Sequence, residues 1–163
     1  MKILKSLLFT ACFLLFFSKV QSQGLESFDN FKQAEFTEKM DYQGNDALSW
    51  NIKQGRFHPS FSINGGSVQL KNTKDAAVIL NGVKGGMGIL SFDLRQSYNT
   101  AISVDIFVNG VKKEHIITPE GTVMKSIVPV TGIQINEKDL KELMIQNTGG
   151  FCSIDNIKWT AFK

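Results

Sequence analysis

Residues 147–162 read Asn-Thr-Gly-Gly-Phe-Cys-Ser-Ile-Asp-Asn-Ile-Lys-Trp-Thr-Ala-Phe, and this stretch decides the fold. The Gly-Gly pair predicts a turn that leads into a final β-strand. The apolar residues of that strand change parity once, from Cys152 and Ile154 to Ile157, Trp159 and Ala161. Because side chains alternate along a strand, the slip at Asp155 and Asn156 predicts a β-bulge. Bulges are frequent at sheet edges and functional sites, so this carboxylate and amide are candidates for a site.

The rest of the chain shows the same strand alternation between turn residues. Residues 89–95 have the pattern of a half-buried strand, and residues 102–108 repeat it before a hairpin turn at Asn109 and Gly110. One helical turn is predicted for Asn136 to Lys141. About eight to ten short strands with almost no helical periodicity predict an all-β protein, an antiparallel β-sandwich of the jelly-roll type.

The first 22 residues have the features of a signal peptide. A basic start precedes a nearly unbroken apolar run at residues 7–17, and cleavage is expected after Ser22. The run is too short to span a bilayer, which takes about 20 residues, so a retained anchor is the weaker alternative. A lipoprotein modified at Cys12 is another alternative, although this cysteine lies inside the apolar run. We therefore expect residues 23–163 to form a single secreted β-sandwich domain, with no membrane insertion after cleavage.

Charge and cysteine content narrow the class of protein. Of the 18 basic residues, three (Lys2, Lys5 and Lys19) lie in the leader, so the remainder carries 15 basic and 15 acidic side chains. A neutral chain without a basic run argues against nucleic-acid binding. Loss of the leader also removes Cys12, which leaves Cys152 without a partner for an internal disulfide. Stability must then come from an apolar core.

Five stretches carry a family resemblance. They are residues 26–31 (Glu-Ser-Phe-Asp-Asn-Phe), Trp50 with Gly55 and Arg56, residues 85–92 (Gly-Gly-Met-Gly-Ile-Leu-Ser-Phe), the hairpin at 108–110 (Val-Asn-Gly), and residues 154–159 (Ile-Asp-Asn-Ile-Lys-Trp). Together they resemble the jelly-roll accessory domains of secreted Bacteroidetes proteins, which are similar to galactose-binding-like domains and carbohydrate-binding modules. The resemblance implies a jelly roll that works outside the cell, often beside a nuclease or hydrolase domain.

Acidic side chains near the two chain ends are candidates for a metal site. The first and last strands of a jelly roll are commonly neighbours, so Glu26 and Asp29 are expected near Asp155 and Asn156. Calcium takes six to eight oxygen ligands, and the carbohydrate-binding jelly rolls that this chain resembles often hold a structural calcium ion. The alternative is that Asp155 and Asn156 only satisfy backbone groups at the bulge.

Sugar binding requires exposed aromatic faces with polar groups beside them. The candidate ligand-binding residues are Tyr42, Arg56, Phe57, His58 and Tyr98. Tyr42, Phe57 and Tyr98 are expected in loops and therefore exposed. Trp50 and Trp159 follow strand alternation, so both are expected in the core and not on a sugar-binding surface.

Catalytic chemistry has little support in the sequence. His58 and His115 are the only histidines, and neither has the spacing of a metal ligand or a defined nucleophile beside it. Cys152 is expected to point inward, where a thiol is usually inert. We therefore expect a secreted, non-enzymatic module that binds an extracellular glycan or polysaccharide. The alternatives are a structural or adhesive cell-surface protein that binds another protein and, with less support, a divergent enzyme.

Overall fold

The computed structural model describes residues 22–118 and 123–163, and this part of the chain is built from β-strands. The signal peptide predicted at the start of the chain lies outside the described residues, except for Ser22. The strands are β1 (Ser22–Glu26), β2 (Met40–Gln43), β3 (Ser49–Lys53), β4 (Gly55–Arg56), β5 (Val68–Leu70), β6 (Ala77–Asn81), β7 (Met87–Gln96), β8 (Ser103–Val108), β9 (Val111–Ile117), β10 (Ile127–Glu137), β11 (Glu142–Asn147) and β12 (Cys152–Thr160). Two short 3-10 turns, Asn45–Ala47 and Pro59–Phe61, are the helical elements found in this part. None is long or apolar enough to cross a membrane.

The strands form two antiparallel sheets of six strands each. Sheet 1 has the order β10-β7-β12-β5-β4, and β1 pairs with the end of β12. Sheet 2 has the order β2-β3-β6-β11-β8-β9. The predicted antiparallel β-sandwich of the jelly-roll type is confirmed. The predicted pairing of the first and last strands is also confirmed, with Glu26 opposite Ile157.

The core lies between the two sheets and is made of the inward side chains of both. Its fully buried members include Trp50, Ile52, Val68, Leu70, Val78, Leu80, Leu90, Leu94, Val104, Ile106, Leu143, Ile145, Ile154 and Ile157, with Phe92 and Trp159 almost fully buried. Burying each such side chain contributes about 1.5–3 kcal/mol to folding. Both tryptophans are therefore core residues, as their strand alternation predicted. Cys152 is also buried, and burial raises the pKa of its thiol to about 12.

The last strand contains the predicted bulge. Its pairing with β7 shifts register between Asp155 and Lys158, and Asn156 has a φ of 51°. Asparagine is among the residues that tolerate this left-handed conformation best. The change of parity in the sequence is thus the direct result of one extra residue at this point.

The helical turn predicted at Asn136 to Lys141 is wrong. β10 continues as a strand to Glu137, and its pairing with β7 shifts register between Gln134 and Glu137. Asn136 adopts a φ of 47° in this irregular stretch. The asparagine therefore supports a kink in an edge strand and does not cap a helix, because pairing with β7 outweighs a short local preference.

The segment of residues 62–66 covers part of the outer face of sheet 1. The guanidinium of Arg95, which lies on that face in β7, donates a hydrogen bond to the carbonyl of Ser62. Gly66 follows in the same segment, and a Cβ atom there would lie 2.6 Å from the Ser27 carbonyl oxygen and 2.7 Å from the Asp29 nitrogen. Only glycine permits this approach. The segment is thereby held against the residues that follow β1.

Candidate functional site

Glu26 ends β1 and points into the sandwich, where it is fully buried. Its Oε1 accepts a hydrogen bond of 2.7 Å from the Phe28 nitrogen, and its Oε2 accepts one of 2.8 Å from the Asn45 nitrogen. Burial raises the pKa of this carboxyl, and the hydrogen bonds lower it in part. Glu26 therefore acts as an internal cap that fixes two loops at one end of the sandwich.

Asp155 lies directly opposite Asp93 on β7 and is 1% exposed. Its Oδ1 has no hydrogen-bond partner among the described residues. Burial is the main reason that the pKa of Asp155 rises to about 7, and the charges of Asp29, Asp93 and Glu26 add to the rise. Glu26 and Asp29 are thus near enough to Asp155, as predicted, for their charges to raise its pKa.

Asn156, the left-handed residue of the bulge, contacts Asp93 on the neighbouring strand β7. Its Nδ2 donates a hydrogen bond of 2.9 Å to Oδ2 of Asp93. Both side chains line a groove on the outer face of sheet 1, together with Ser91, Thr131 and Lys158. The bulge therefore orients an amide toward a carboxylate on the neighbouring strand.

These side chains do not have the arrangement of a calcium site. Both oxygens of Glu26 already accept backbone hydrogen bonds. Within residues 22–118 and 123–163, no three acidic, histidine or cysteine side chains are grouped closely enough to hold a metal ion. Asp155 alone offers a free buried oxygen, whereas calcium takes six to eight.

Calcium at the chain ends stays a prediction of the sequence, and thermal unfolding tests it. A bound ion would raise the unfolding midpoint through mass action. Because both Glu26 oxygens already accept backbone hydrogen bonds, we expect the same midpoint in EDTA and in millimolar calcium. A rise with calcium that disappears in Asp155→Ala would instead demonstrate a site that forms only when the metal is present.

Aromatic rings form a continuous contact chain on another part of the surface, which we call the aromatic ridge. It consists of Phe36, His58, Phe61, Tyr98 and Phe151. The ring centroids are 4.8 Å apart for His58–Phe61, 5.0 Å for Phe61–Tyr98, 5.3 Å for Tyr98–Phe151 and 6.0 Å for Phe151–Phe36. Such spacings are typical of favourable aromatic pairs. Tyr98 is 40% exposed, so the middle of the ridge faces solvent, whereas Phe61 is buried beneath it and the other three rings are half-buried.

Short-range backbone contacts fix the rings of the ridge. His58 precedes the 3-10 turn Pro59–Phe61, and its Nδ1 accepts a hydrogen bond from the Ser60 nitrogen. Gln96 at the end of β7 donates a hydrogen bond of 2.7 Å to the Tyr98 carbonyl. Both loops are therefore anchored, which limits the entropy that a ligand would have to remove on binding.

Cationic groups lie against the rings of the ridge. The Arg56 guanidinium carbon is 4.4 Å from the ring centroid of Phe36, and the Lys71 ammonium is 5.9 Å from it. The Lys125 ammonium is 5.7 Å from the centroid of Phe61. These distances allow cation–π attraction. The surface thus combines aromatic faces with hydrogen-bond donors of positive charge.

The five predicted ligand-binding residues do not all meet. His58 and Tyr98 belong to the ridge, and Arg56 lies against it. The prediction that Tyr42 lies in an exposed loop is wrong. Tyr42 lies in β2, opposite Trp50. Its ring packs 5.6 Å from both Phe28 and Phe31, and burial followed by the nearby Glu26 charge raises the pKa of its hydroxyl to about 12.

Phe57 lies in a loop as predicted, but its ring is half-buried against the core and not freely exposed. The Lys32 ammonium lies 4.8 Å from its centroid. Phe36, Phe61 and Phe151 were not among the ligand-binding residues predicted from the sequence. They lie in three separate loops, so only the fold brings them together. The position of Phe151 directly after the Gly-Gly turn was the one local feature that marked it as a loop aromatic.

No protein-family model matches this chain, and no curated protein matches its sequence. Solved structures with a similar fold include a glycoside hydrolase family 43 arabinoxylan arabinofuranohydrolase from Bacillus subtilis, with a TM-score of 0.52, 8% identity and coverage of 80% of this chain and 28% of that chain. An exo-β-1,3-galactanase from Phanerochaete chrysosporium has a TM-score of 0.46 and 16% identity, with coverage of 85% of this chain and 29% of that chain. The C-terminal family 6 carbohydrate-binding module of a Zobellia galactanivorans laminarinase has a TM-score of 0.46 and 8% identity, with coverage of 84% of this chain and 98% of that chain.

The likeness to the arabinofuranohydrolase concerns the fold alone. This chain spans less than a third of the length of either hydrolase that it matches. The shared part is an all-β sandwich, in agreement with the two antiparallel sheets described above.

Proposed function

We propose that this chain is a secreted, non-catalytic module that binds an extracellular polysaccharide along the aromatic ridge. The observation that carries the proposal is the ridge itself, a series of five aromatic side chains in edge or tilted contact with the exposed Tyr98 at its middle. The apolar face of a pyranose ring packs on such rings, while polar groups beside them bind its hydroxyls. A polymer chain lying along the ridge would contact Tyr98 and the exposed parts of the half-buried rings beside it.

The fold likeness and the leader add support. The arabinofuranohydrolase with a similar fold was crystallised in complex with cellotetraose, so a protein that contains this kind of sandwich binds a glucan oligomer. The apolar leader in the sequence supports export, which would bring the module to polysaccharides outside the cell.

The environments of the candidate catalytic groups support a binding role. The Nδ1 atom of His58 accepts a backbone hydrogen bond, and its ring stacks beside Phe61. His115 instead lies on sheet 2 with its Nδ1 2.5 Å from Oδ1 of Asp105. The thiol of Cys152 is fully buried, and its pKa of about 12 keeps it protonated. Each of these groups has a structural role that accounts for its position.

Removing the Tyr98 ring is expected to weaken polysaccharide binding. Tyr98→Ala deletes the exposed centre of the ridge, and loss of one aromatic contact should lower affinity about tenfold. Affinity electrophoresis against a panel of soluble polysaccharides, followed by calorimetry on any that bind, would measure the change. Unchanged affinity for a polysaccharide that the wild type binds would place binding elsewhere.

Phe107 offers a matched control for that experiment. It is a half-buried aromatic residue on the outer face of sheet 2, where it lies opposite Met144 and Lys112. Phe107→Ala should leave affinity unchanged if the ridge is the site. Loss of binding in Phe107→Ala alone would move the site to sheet 2.

A protein partner is the second candidate function, favoured by the edge strand β9. Six of its seven side chains are exposed, and Val111 and Ile117 are 60% and 62% exposed. Lys112, Lys113 and Glu114 oppose uncontrolled pairing of that edge. Cross-linking that recovers a protein at β9, with no affinity for any polysaccharide, would favour this candidate.

A further inference from the structure

Arg56 is held in place by a buried polar relay. Its Nε donates a hydrogen bond of 2.9 Å to Oε1 of Gln69, and Nε2 of Gln69 donates one of 2.9 Å to the Ser97 hydroxyl. Gln69 is 1% exposed and Ser97 is fully buried. The stacking of the guanidinium on Phe36 adds a second constraint. Arg56 is therefore a fixed group and not a flexible surface side chain.

The relay engages only one of the three guanidinium nitrogens. Within the described residues, the two terminal nitrogens of Arg56 make no hydrogen bond and no ion pair. Arg95 differs, because its Nε and Nη1 both donate to backbone carbonyls, those of Lys125 and Ser62. The Arg95 guanidinium is thus used by the fold, whereas the terminal nitrogens of Arg56 remain as donors at the edge of the ridge.

The positive charge around the ridge is not neutralised within the part of the chain that the structure describes. The two salt bridges found there both involve Asp105, which lies on sheet 2. Arg56, Lys71 and Lys125 lie over ridge rings without a carboxylate partner, and Glu35, next to Phe36 in the sequence, forms no ion pair with them. With 15 basic and 15 acidic side chains after the leader, this local excess is a matter of placement and not of composition.

We propose that the ridge selects an anionic polysaccharide, one whose sugar units carry carboxylate or sulfate groups, and that Arg56 binds the anionic group through its terminal nitrogens. This inference rests on the proposed function. A sugar ring packs on the aromatic faces, and its charged substituent lies beside Phe36, where the guanidinium is preorganised. A planar guanidinium matches the oxygen spacing of carboxylate and sulfate better than an ammonium does. Lys71 and Lys125 supply further attraction along the polymer.

Matched pairs of polymers test the charge requirement. Polygalacturonate is compared with its highly methyl-esterified form, and dextran sulfate with dextran, so that each pair keeps the backbone and changes the charge. We expect binding to at least one anionic member with an affinity about tenfold to a hundredfold above that of its neutral partner. The two pairs also distinguish a carboxylate ligand from a sulfate ligand.

Arg56 variants test the role of the guanidinium. Arg56→Gln should lose most of the preference for the anionic polymer, and Arg56→Lys should restore only part of it because the ammonium lacks the paired donors. Lys113→Gln is the matched control. It removes the same charge from the exposed edge strand β9 of sheet 2, outside the ridge, and should leave affinity unchanged. Thermal unfolding of each variant shows whether its fold is intact.

The outcomes separate the inference from the proposed function. Equal binding of neutral and anionic members would overturn the inference and leave glycan binding intact. Absence of binding to every polymer would overturn both. An equal loss in Arg56→Gln and Lys113→Gln would mean attraction by general charge, which also overturns the role of Arg56. If Arg56→Gln unfolds, Lys71→Gln and Lys125→Gln, which lack a buried relay, still measure the charge dependence at the ridge.

Discussion

At pH 8, Asp155→Asn is expected to be more stable toward unfolding than the wild type, by about 2–4 kcal/mol. The wild-type carboxyl is 1% exposed and lies opposite Asp93, with its Oδ1 unpaired among the described residues. Burial, with the neighbouring acidic charges, raises its pKa from 3.8 to about 7. A shift of one pKa unit corresponds to about 1.4 kcal/mol, so ionising this group in the folded protein costs on the order of 4 kcal/mol.

The sign follows from proton binding in the two states. Between pH 4 and pH 7 the folded protein holds a proton on Asp155 that the unfolded chain has released, so the free energy of unfolding falls as pH rises. The contribution is complete below about pH 4 and lost above about pH 7. Asparagine has no proton to lose, and the variant should therefore show a much flatter profile. Urea unfolding at several pH values between 4 and 8 measures the difference.

Glu26 sets the control for this experiment. Burial raises the pKa of its carboxyl too, so it gives a fall of the same sign that persists in Asp155→Asn. The part attributed to Asp155 is the difference between the two profiles. Parallel profiles would refute the raised pKa. The sign also bears on calcium, because a bound cation would make the ionised Asp155 favourable and turn the substitution into a destabilising one.

Local patterns in the sequence were enough to predict the fold class and the bulge in the last strand. The alternation of Leu90, Phe92 and Leu94 and the single change of parity at Asp155 are properties of one strand, and a strand's faces are decided by its own sequence. The neighbouring positions of β1 and β12 followed from the expected fold class.

The ridge required information that no single segment holds. Phe36, Phe61 and Phe151 come from three loops, and the fold places those loops side by side. Phe36 contacts Phe151 with a centroid distance of 6.0 Å, and Tyr98 lies between Phe61 and Phe151 at 5.0 Å and 5.3 Å. The prediction of an exposed loop at Tyr42 was wrong for a related reason. Its surroundings suggested a turn, but pairing with Trp50 draws it into β2, and Phe28 and Phe31 then bury part of its ring.

The contact between Gly24 and Trp159 should make the two chain ends strongly interdependent. Gly24 lies opposite Trp159 in the β1–β12 pair, and a Cβ atom on Gly24 would lie 2.1 Å from Cζ2 of the tryptophan. Trp159→Ala is expected to cost about 3–5 kcal/mol of stability because it leaves a cavity in the core. Gly24→Ala should cost about 1–3 kcal/mol because the added methyl overlaps the indole ring.

The double variant distinguishes this contact from two independent defects. With the indole absent, the Gly24→Ala methyl enters vacated space, so its cost should fall to near zero and the two changes should not be additive. Leu25→Ala is the matched control, since Leu25 is 39% exposed and opposite Lys158, and it should change stability by less than about 0.5 kcal/mol. Chemical unfolding of the four proteins measures the coupling. Additive costs would mean that the cost of Gly24→Ala does not arise from overlap with the indole ring of Trp159.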